Sequence, residues 1–334
     1  MVAMRRLGMV GAWLLATSCA AGPAATAIVQ RCGGLTMGST WAVEWTGGAA
    51  VEVVQHAVET ELAAFDATFS RWRDDSEITR WNRRADAAPF VASPLFREVL
   101  QQALAVAVIT DGAFDPTVQP LSELYRAAKR DPRQALDEGA VRAALERVGH
   151  RRTTIVGDTV CAPRADLGLD LDGIVAGACV DAIVRRLDAL GVPSFCVDVT
   201  GEVFCRGERA PGEPWCIAIG DAARGLPVRT VQLRDRALCT SGVYENAVVA
   251  GGRPLHHLFD PRTGDEPDNG VVTATVLADS AALADALDTA FVVLGEDGAA
   301  RVLASHRELA NVGVRLLVVG DDGTLRDIDL GSTR

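Results

Sequence analysis

The sequence FCVDV at residues 195–199 opens the part of the chain that decides the fold class. Two similar runs follow, WCIAI at 215–219 and VVTATVL at 271–277, with glycine and proline turns between them. Such runs of β-branched and aromatic residues predict strands. Because these strands follow one another without intervening helices, the pattern excludes the regular alternation of a doubly wound parallel sheet.

Helices are predicted on both sides of this β-rich part. Helical spacing of apolar residues predicts helices at 51–65, 94–110, 171–190 and 280–294, and again at 299–306 after a stop at Gly295. Ser93 is a suitable N-cap for the second helix, and strands are predicted at 40–45 and, closing the chain, at 314–319. Segregated groups of helices and strands predict an α+β fold with mixed or antiparallel sheets and packed helices.

The composition describes an acidic protein that should fold. Hydrophobic residues make up 49% and charged residues 23% of the 334 residues, close to ordinary globular proteins. The formal net charge is −11, and the acids are spread along the chain. We therefore expect no nucleic-acid partner. If the substrate carries phosphates, a metal ion, helix N-termini or backbone amides must hold them locally.

Residues 1–27 are predicted to be an export signal, followed by one domain at 28–334. A short basic region precedes an apolar stretch at residues 7–17, which is too short to span a membrane. Two processing outcomes stay open: lipidation at Cys19, or cleavage after the Ala-Thr-Ala that ends at residue 27. The third interpretation is an apolar first helix of a cytosolic protein.

Acidic side chains interrupt the apolar helix predicted at 280–294. Asp285 and Thr289 are four residues apart and project from the same face, with Asp288 beside them. Oxygen ligands one turn apart suit Mg²⁺, which otherwise keeps waters and substrate phosphate oxygens. Acids on a surface helix are usually only solvated. The alanine, leucine, phenylalanine and valine around these acids favour burial, and acids are seldom buried without a partner or a metal.

Three further segments carry residues that could do chemistry. His257, in the run HHLFDPRTG at 256–264, lies at a predicted strand end, where a histidine can act as a general base. The turn DGAFDPT at 111–117 presents an aromatic and an acid beside backbone amides, and DLDGIVAG at 170–177 opens a helix whose free amides can approach an anion. Taken alone, each segment is more often an ordinary turn, cap or core histidine.

Together and in this order, the segments resemble the ApbE family of FAD:protein FMN transferases, from about residue 35 to about residue 295. The similarity is carried by MGST at 37–40, FSRW at 69–72, SEI at 76–78 with Asn82, GAFDPTV at 112–118, TSG at 240–242 with Tyr244, HLFDPRTG at 257–264 and ADALDT at 284–289. One such match could arise by chance, but this many in one order identify a family.

The resemblance implies a single-domain T-fold-like α+β fold, FAD as substrate and Mg²⁺ as cofactor. It implies transfer of FMN from FAD to a Thr or Ser hydroxyl of an acceptor protein, with AMP released. The acceptor is typically a subunit of a membrane redox complex. It further implies an exported protein on the periplasmic side of the inner membrane, often with a lipid anchor.

Position within the motifs assigns the site residues that the resemblance implies. Those expected at the FAD site are Met37, Trp72, Ala113, Phe114, Asp115, Asp170, Ala176 and Phe259, the last near the flavin. Those expected to hold the metal are Asp285, Asp288, Thr289 and the backbone carbonyl of Gly173. His257 is the expected base that activates the acceptor hydroxyl, and Asp285 is expected to be essential for catalysis.

The chain departs from the family pattern at two places. Where the family commonly has Gly-Gly-Ile-Ala-Lys-Gly-Tyr, residues 172–178 read DGIVAGA, so a charged and an aromatic residue are lost at Ala176 and Ala178. Gly-Gly-Asp is replaced by TGE at 200–202. Two alternatives therefore stay open. One is a metal-dependent FAD pyrophosphatase, in which water replaces the protein hydroxyl, and the other is an FAD-binding lipoprotein without turnover.

Overall fold

Helices form where apolar spacing and capping residues predict them. The computed structural model describes residues 28–131, 136–220, 228–243, 248–250, 253–256, 258–320 and 322–332. Its α-helices are α1 Val51–Phe69, α2 Glu77–Asn82, α3 Pro94–Ile109, α4 Gln119–Arg130, α5 Glu138–Leu145, α6 Asp172–Ala189 and α7 Ala281–Ser305. The predicted cap of α3 is confirmed, because the Phe96 backbone N–H donates to the Ser93 hydroxyl at 3.1 Å.

Antiparallel strands form the centre of the molecule. The long strands are β1 Val29–Thr36, β2 Ser39–Thr46, β6 Ser194–Val199, β7 Glu202–Arg206, β10 Arg236–Gly242, β13 Val271–Ala278, β14 Gly313–Val319 and β15 Leu325–Gly331. They pair in the order β1-β2-β6-β7-β10-β13-β14-β15, and each neighbouring pair is antiparallel. β1 and β15 are therefore the two edges of this sheet.

Short strands build smaller sheets around the main one. They are β3 Phe90–Val91, β4 Thr154–Val156, β5 Thr159–Cys161, β8 Trp215–Ile219, β9 Arg229–Leu233, β11 Val248–Ala250 and β12 Arg253–Leu255. β3, β5 and β4 form one sheet, β8 pairs with β9, and β11 pairs with β12. The β8–β9 hairpin covers part of the main sheet through Trp215, which packs with Leu238 and Leu277.

The main core lies between one face of the large sheet and the helices. α7 packs on β10 and β13, and α6 packs on β6 and β7. Trp45, Phe195 and Phe291 are fully buried in this core. Because residues alternate between the two faces of a strand, Phe195 faces the helices while Cys196 faces the β8–β9 hairpin. The predicted α+β class, with an antiparallel sheet and packed helices, is confirmed.

Helices α6 and α7 cross so closely that only glycine fits at the contact. A Cβ atom on Gly177 would lie 2.3 Å from the carbonyl oxygen of Ala281. Two carboxylates, one on each helix, accept hydrogen bonds from the other helix. Asp181 of α6 accepts from the Ser280 hydroxyl at 2.7 Å and the Ala281 backbone N–H at 2.8 Å, whereas Asp285 of α7 accepts from the Gly177 backbone N–H at 2.9 Å. Asp181 thus satisfies backbone donors at the start of α7.

The structure also differs from the sequence expectations. The elements β1, α2, β3, α4, α5, β4, β5 and β15 were not predicted. The strand expected to close the chain is therefore followed by another. The predicted stop at Gly295, with a second helical stretch at 299–306, is confirmed, because α7 is broken at Gly295, with φ 70° and ψ −176°, and ends at Ser305. The Asn269 amide donates to the Val292 and Val293 carbonyls at 2.9 and 3.1 Å, so it satisfies carbonyls beside the break.

Several predictions concern residues outside the described ranges. The export signal at 1–27 with Cys19, and the side chains of Tyr244 and His257, belong to this group. The signal, its processing and the domain boundary at residue 28 stay predictions. Within the described ranges, no helix combines the length and the apolarity that a membrane crossing requires.

We expect Gly177→Ala to lower the free energy of unfolding by about 1–3 kcal/mol, because the added methyl group overpacks the α6–α7 contact. Urea denaturation measures the change. Gly139→Ala in α5 is the matched control, since the nearest atom to its new Cβ is the Asp137 carboxylate oxygen at 3.2 Å, on a side chain that can move. Equal urea midpoints for Gly177→Ala and wild type would contradict the close crossing.

Candidate active site

A cavity of about 500 Å³ opens beside the first turns of α6 and α7. This volume is within the usual range for small-molecule sites. The α3–α4 turn, α4, the ends of β7 and β10, and residues 258–261 complete its wall. Eight predicted site residues line it: Ala113, Phe114, Asp115, Asp170, Gly173, Phe259, Asp285 and Thr289.

Four predicted site residues lie outside this lining. Met37 is in the β1–β2 turn and is 42% exposed, and Trp72 is 83% exposed. Trp72 nevertheless lies next to the cavity wall, because the Arg71 guanidinium is 4.9 Å from its ring centre and Arg71 lines the cavity. Ala176 and Asp288 are buried. The roles assigned to these four residues, and to the eight that line the cavity, stay predictions.

Asp285 is a buried carboxylate at the cavity wall. One of its oxygens accepts the Gly177 N–H, and the side chain is almost fully removed from solvent. Burial raises the pKa of Asp285 to about 7, and the nearby Asp181 and Asp172 carboxylates act in the same direction. At neutral pH this group is therefore ready to exchange its proton for a cation.

Ser241 of β10 connects the two other predicted metal ligands. Its hydroxyl donates to Asp288 Oδ1 at 2.8 Å and lies 3.2 Å from the Thr289 hydroxyl. Ser241 and Thr289 both line the cavity. The strand thus fixes the orientation of the polar groups on α7, and Ser241 is a positioning residue that the predicted ligand set did not contain.

Gly173 brings the start of α6 against α7. A Cβ atom at this position would lie 3.4 Å from the Phe114 ring and 3.4 Å from the Thr289 hydroxyl oxygen. Its φ of −89° and ψ of 23° depart from the helical values. The first turn of α6 therefore offers backbone groups next to Thr289 without an intervening side chain, as an anion or metal site at a helix terminus requires.

Side chains of both charges surround the N-terminus of α6. Arg126 donates to Asp170 at 2.7 Å and to Asp172 at 2.9 Å, and Arg71 lies 3.5 Å from Asp172. Burial acts to raise the pKa of Asp170, but the Arg126 guanidinium holds that pKa below its usual value. The Asp170 carboxylate in turn raises the pKa of Asp172 to about 6. The arginines thereby offset the acids at this end of the cavity.

The Asp115 carboxylate accepts hydrogen bonds from other residues of the protein. It accepts from the Thr117 N–H at 2.8 Å and the Thr117 hydroxyl at 2.5 Å, and from the His150 N–H at 3.0 Å and the His150 Nδ1 at 2.9 Å. His150 is buried and was not among the predicted site residues. The Asp115 carboxylate thus fixes the turn that presents Ala113 and Phe114 to the cavity.

Two stacked aromatic rings form part of the cavity wall. The rings of Tyr125 and Phe259 lie 4.2 Å apart at an angle of 22°. The Tyr125 hydroxyl donates to the Gly264 carbonyl at 2.9 Å, which ties α4 to the loop that carries Phe259. Phe259 is therefore held in place at the cavity by stacking and by a hydrogen bond to its own loop.

Comparison with known proteins identifies the family of the chain. The model of the ApbE family matches residues 37–312. The chain belongs to the ApbE family. The matched range contains all the cavity-lining residues of the site.

Relatives in this family carry the same name in different organisms. The FAD:protein FMN transferase of Klebsiella pneumoniae is 31% identical over 312 residues, covering 89% of each chain. That of Vibrio cholerae is 32% identical over 300 residues, covering 87% of each chain.

Solved ApbE structures have the same fold. The flavin transferase ApbE from Vibrio cholerae superposes with a TM-score of 0.82 at 28% identity, covering 92% of this chain and 98% of its own. The apo form of flavinyl transferase ApbE from Pseudomonas stutzeri gives a TM-score of 0.81 at 30% identity, covering 92% and 96%. The predicted family and its single-domain fold are thereby confirmed.

The oxygen groups of this ApbE chain fit a hard dication. Within the described ranges, no three His, Cys, Asp or Glu side chains are grouped so that they could share a metal ion. Mg²⁺ does not need such a group, because one or two carboxylates suffice when substrate phosphates complete its shell. The buried Asp285 carboxylate, whose pKa is raised, and the Ser241 and Thr289 hydroxyl groups all line the cavity and form a set of this kind.

Sequence reasoning missed several residues of the cavity wall. They are Arg71, Tyr125, Arg126, Lys129, Glu202 and Ser241. Ser241 and Arg71 stand inside quoted family motifs, so these motifs were the available signal. Glu202 stands in the quoted TGE at 200–202, which departs from the family pattern. Tyr125, Arg126 and Lys129 carried no such signal, because α4 was not predicted.

The raised pKa of Asp285 predicts a pH dependence. Its carboxyl group binds a proton more tightly in the folded protein than in the unfolded chain, where the pKa is near 3.8. The stability that this group contributes to the metal-free protein should therefore be lost as the pH rises from about 4 to about 7. Urea denaturation in EDTA across this window should show a shallower loss for Asp285→Asn than for wild type.

Asp297→Asn is the control for this prediction, since Asp297 is exposed on the same helix. It should retain the wild-type slope. Asp172 and Asp198, whose pKa values are both raised to about 6, contribute with the same sign in all three proteins. An unchanged slope in Asp285→Asn would show that this carboxyl group titrates normally.

Proposed function

We propose that this protein transfers FMN from FAD onto a Thr or Ser hydroxyl of an acceptor protein, in a Mg²⁺-dependent reaction that releases AMP. The observation that carries the proposal is the buried Asp285 carboxylate at the cavity wall, beside Thr289 and the first turn of α6. Membership of the ApbE family and relatives named FAD:protein FMN transferase support the same reaction.

The cavity provides complementary groups for the parts of FAD. Phe114 and the stacked Tyr125–Phe259 pair offer aromatic surface for the flavin or the adenine. The N-terminus of α6, with Asp172 and Gly173 at the cavity wall, suits the pyrophosphate. The Asp172 and Ile174 N–H groups themselves donate to the Asp170 carboxylate and the Leu171 carbonyl. Since the chain carries a formal charge of −11, these local groups and a bound cation must hold a substrate that the overall field repels.

The proposed reaction is a phosphoryl-type transfer. The acceptor hydroxyl oxygen forms a bond to the phosphorus atom of the FMN half, and the bond from that phosphorus to the bridging oxygen breaks. AMP leaves with the bridging oxygen, and the hydroxyl proton passes to a base. Positioning of the hydroxyl in line with the leaving oxygen accounts for much of the catalysis in such reactions.

Asp285, Asp288, Thr289 and the Gly173 carbonyl would hold the metal ion. Mg²⁺, when bound, neutralises negative charge on the phosphate oxygens. The protein contributes geometry: Ser241 orients Asp288 and Thr289, and the Gly177 N–H orients Asp285. The raised pKa of Asp285 means that cation binding and deprotonation are linked in this site.

His257 is the proposed base for the acceptor hydroxyl. Leu258 and Phe259, which follow it in sequence, line the cavity. A histidine titrates near neutral pH and can take a proton from a hydroxyl during its attack.

We place the protein on the periplasmic side of the inner membrane, with Cys19 as a lipid anchor if processing occurs there. The apolar stretch and basic region within residues 1–27 support export. The proposed acceptor is a subunit of a membrane redox complex, and the acidic charge of the chain argues against a nucleic-acid partner.

Two departures from the family pattern favour a second candidate function, FAD hydrolysis or FAD binding without turnover. Ala176 and Ala178 replace a charged and an aromatic residue of the family pattern, and both are buried. Incubation with FAD, Mg²⁺ and an acceptor peptide, followed by mass spectrometry, separates the possibilities. Transfer adds FMN less one water to the peptide. FAD pyrophosphatase activity releases free FMN and AMP, and pure binding leaves FAD intact.

Asp285→Ala should abolish metal-dependent transfer, because it removes a charged ligand that Mg²⁺ can hardly replace. The mass assay for labelled peptide measures the rate. Asp297→Ala, an exposed acid farther along α7, is the matched control and should keep the wild-type rate. A near-normal rate for Asp285→Ala at saturating Mg²⁺ would refute the metal assignment.

His257→Ala should slow the transfer step by roughly 10²–10⁴-fold with FAD affinity little changed, since a general base contributes about this much. Single-turnover labelling gives the rate, and quenching of flavin fluorescence gives the affinity. His56→Ala, at an exposed position on α1, serves as the control. An unaltered single-turnover rate in the absence of His257 would remove this residue from the mechanism.

A further inference from the structure

The hairpin of β6 and β7 places two cysteines opposite each other. Thr200 and Gly201 form its two-residue turn, with φ values of 59° and 112°. Positive φ at both central residues is typical of a type I′ turn, whose twist matches that of the flanking strands. The register of the hairpin is therefore fixed, and it sets Cys196 directly opposite Cys205.

The position within the ladder brings these two side chains close together. Val199 and Glu202 flank the turn and form its hydrogen-bonded pair. Because hydrogen-bonded and non-hydrogen-bonded pairs alternate along an antiparallel ladder, Cys196 and Cys205, three pairs away, form a non-hydrogen-bonded pair. The Cα atoms of such pairs are about 4.5 Å apart, which is within the range that a disulfide spans.

The sulfur atoms already lie near bonding distance. The two Sγ atoms are 3.1 Å apart, and both residues are fully buried on the sheet face that packs against Trp215. An S–S bond of about 2.05 Å requires an approach of about 1 Å more. Simple packing of two small apolar side chains is the alternative, but it does not by itself require the sulfurs to face each other.

We propose that Cys196 and Cys205 form an intramolecular disulfide across the β6–β7 hairpin. An S–S bond forms between the two Sγ atoms while each thiol loses a proton. The two electrons pass to a low-molecular-weight disulfide such as glutathione disulfide, which becomes two thiols. Disulfides form and persist in the oxidising compartments that exported proteins enter. The bond is independent of the flavin reaction.

The bond must form before the hairpin is covered. Both thiols are buried, and the contact with Cys205 together with burial raises the pKa of Cys196 far above its usual value. A thiol of this kind is a poor nucleophile in the folded state. Exchange therefore takes place during folding or opening of the hairpin, and the finished disulfide is protected from reductants. It would tie β6 to β7, whose first residue, Glu202, lines the cavity.

Peptide mapping of the wild-type chain tests the proposal without any substitution. The full chain is reduced, unfolded and refolded in a buffer of reduced and oxidised glutathione, and its remaining thiols are then alkylated. We expect a cross-linked peptide pair that contains residues 196 and 205 and is lighter by two hydrogens than the reduced pair. Alkylation of both cysteines, or a bond from either to a different cysteine, overturns the proposal.

Thermal unfolding supplies a second measurement. A reductant, applied during refolding, should lower the melting temperature of the wild type by about 3 to 6 °C, because the unfolded chain is no longer constrained. Cys205→Ala should show no such dependence on reductant. Cys161→Ala, a half-buried cysteine in β5, should keep it. Equal dependence in Cys205→Ala and wild type also overturns the proposal.

Discussion

The crossing of α6 and α7 at Gly177 is the contact on which the rest of the structure depends. The absence of a side chain there lets the helices approach until the Gly177 N–H reaches the Asp285 carboxylate. In return, Asp181 binds the N-terminal donors of α7. Because both bonds cross the same interface, they fix the rotation as well as the distance of the helices. Asp285 and Thr289 therefore face the cavity rather than the core.

This arrangement removes carboxylates from water at the site, which lowers the stability of the fold. The Asp285 carboxylate is buried and that of Asp181 is partly buried, and burial raises both pKa values. Asp181 is compensated by three donors from the start of α7. Among the residues that the structure describes, the Gly177 N–H is the one donor to Asp285, so a proton or a cation completes its environment. A core that holds an incompletely compensated acid is less stable than it could be, which is common at functional sites.

Local sequence patterns predicted the elements but not the contacts between them. Helix α3 began at its expected cap, Ser93, because a cap acts within one turn. The acids of α7 could be assigned to one face from spacing alone. In contrast, Arg126 meets Asp170 across 44 residues and Ser241 meets Asp288 across 47, and no local pattern encodes such distances. Family motifs recovered part of the site, but Arg126 stands in a helix that local spacing did not reveal.

The exposed edge of the large sheet at β15 opposes self-association. β15 is largely exposed and carries Arg326, Asp327 and Asp329. Asp329 is bound to Arg315 of β14 at 2.7 Å, and Asp327 is bound to Arg229 of β9. A strand of a second molecule that paired with this edge would have to desolvate these ionic groups. The charged border therefore opposes fibril-like stacking of sheets and helps to keep the protein dispersed at high local concentration.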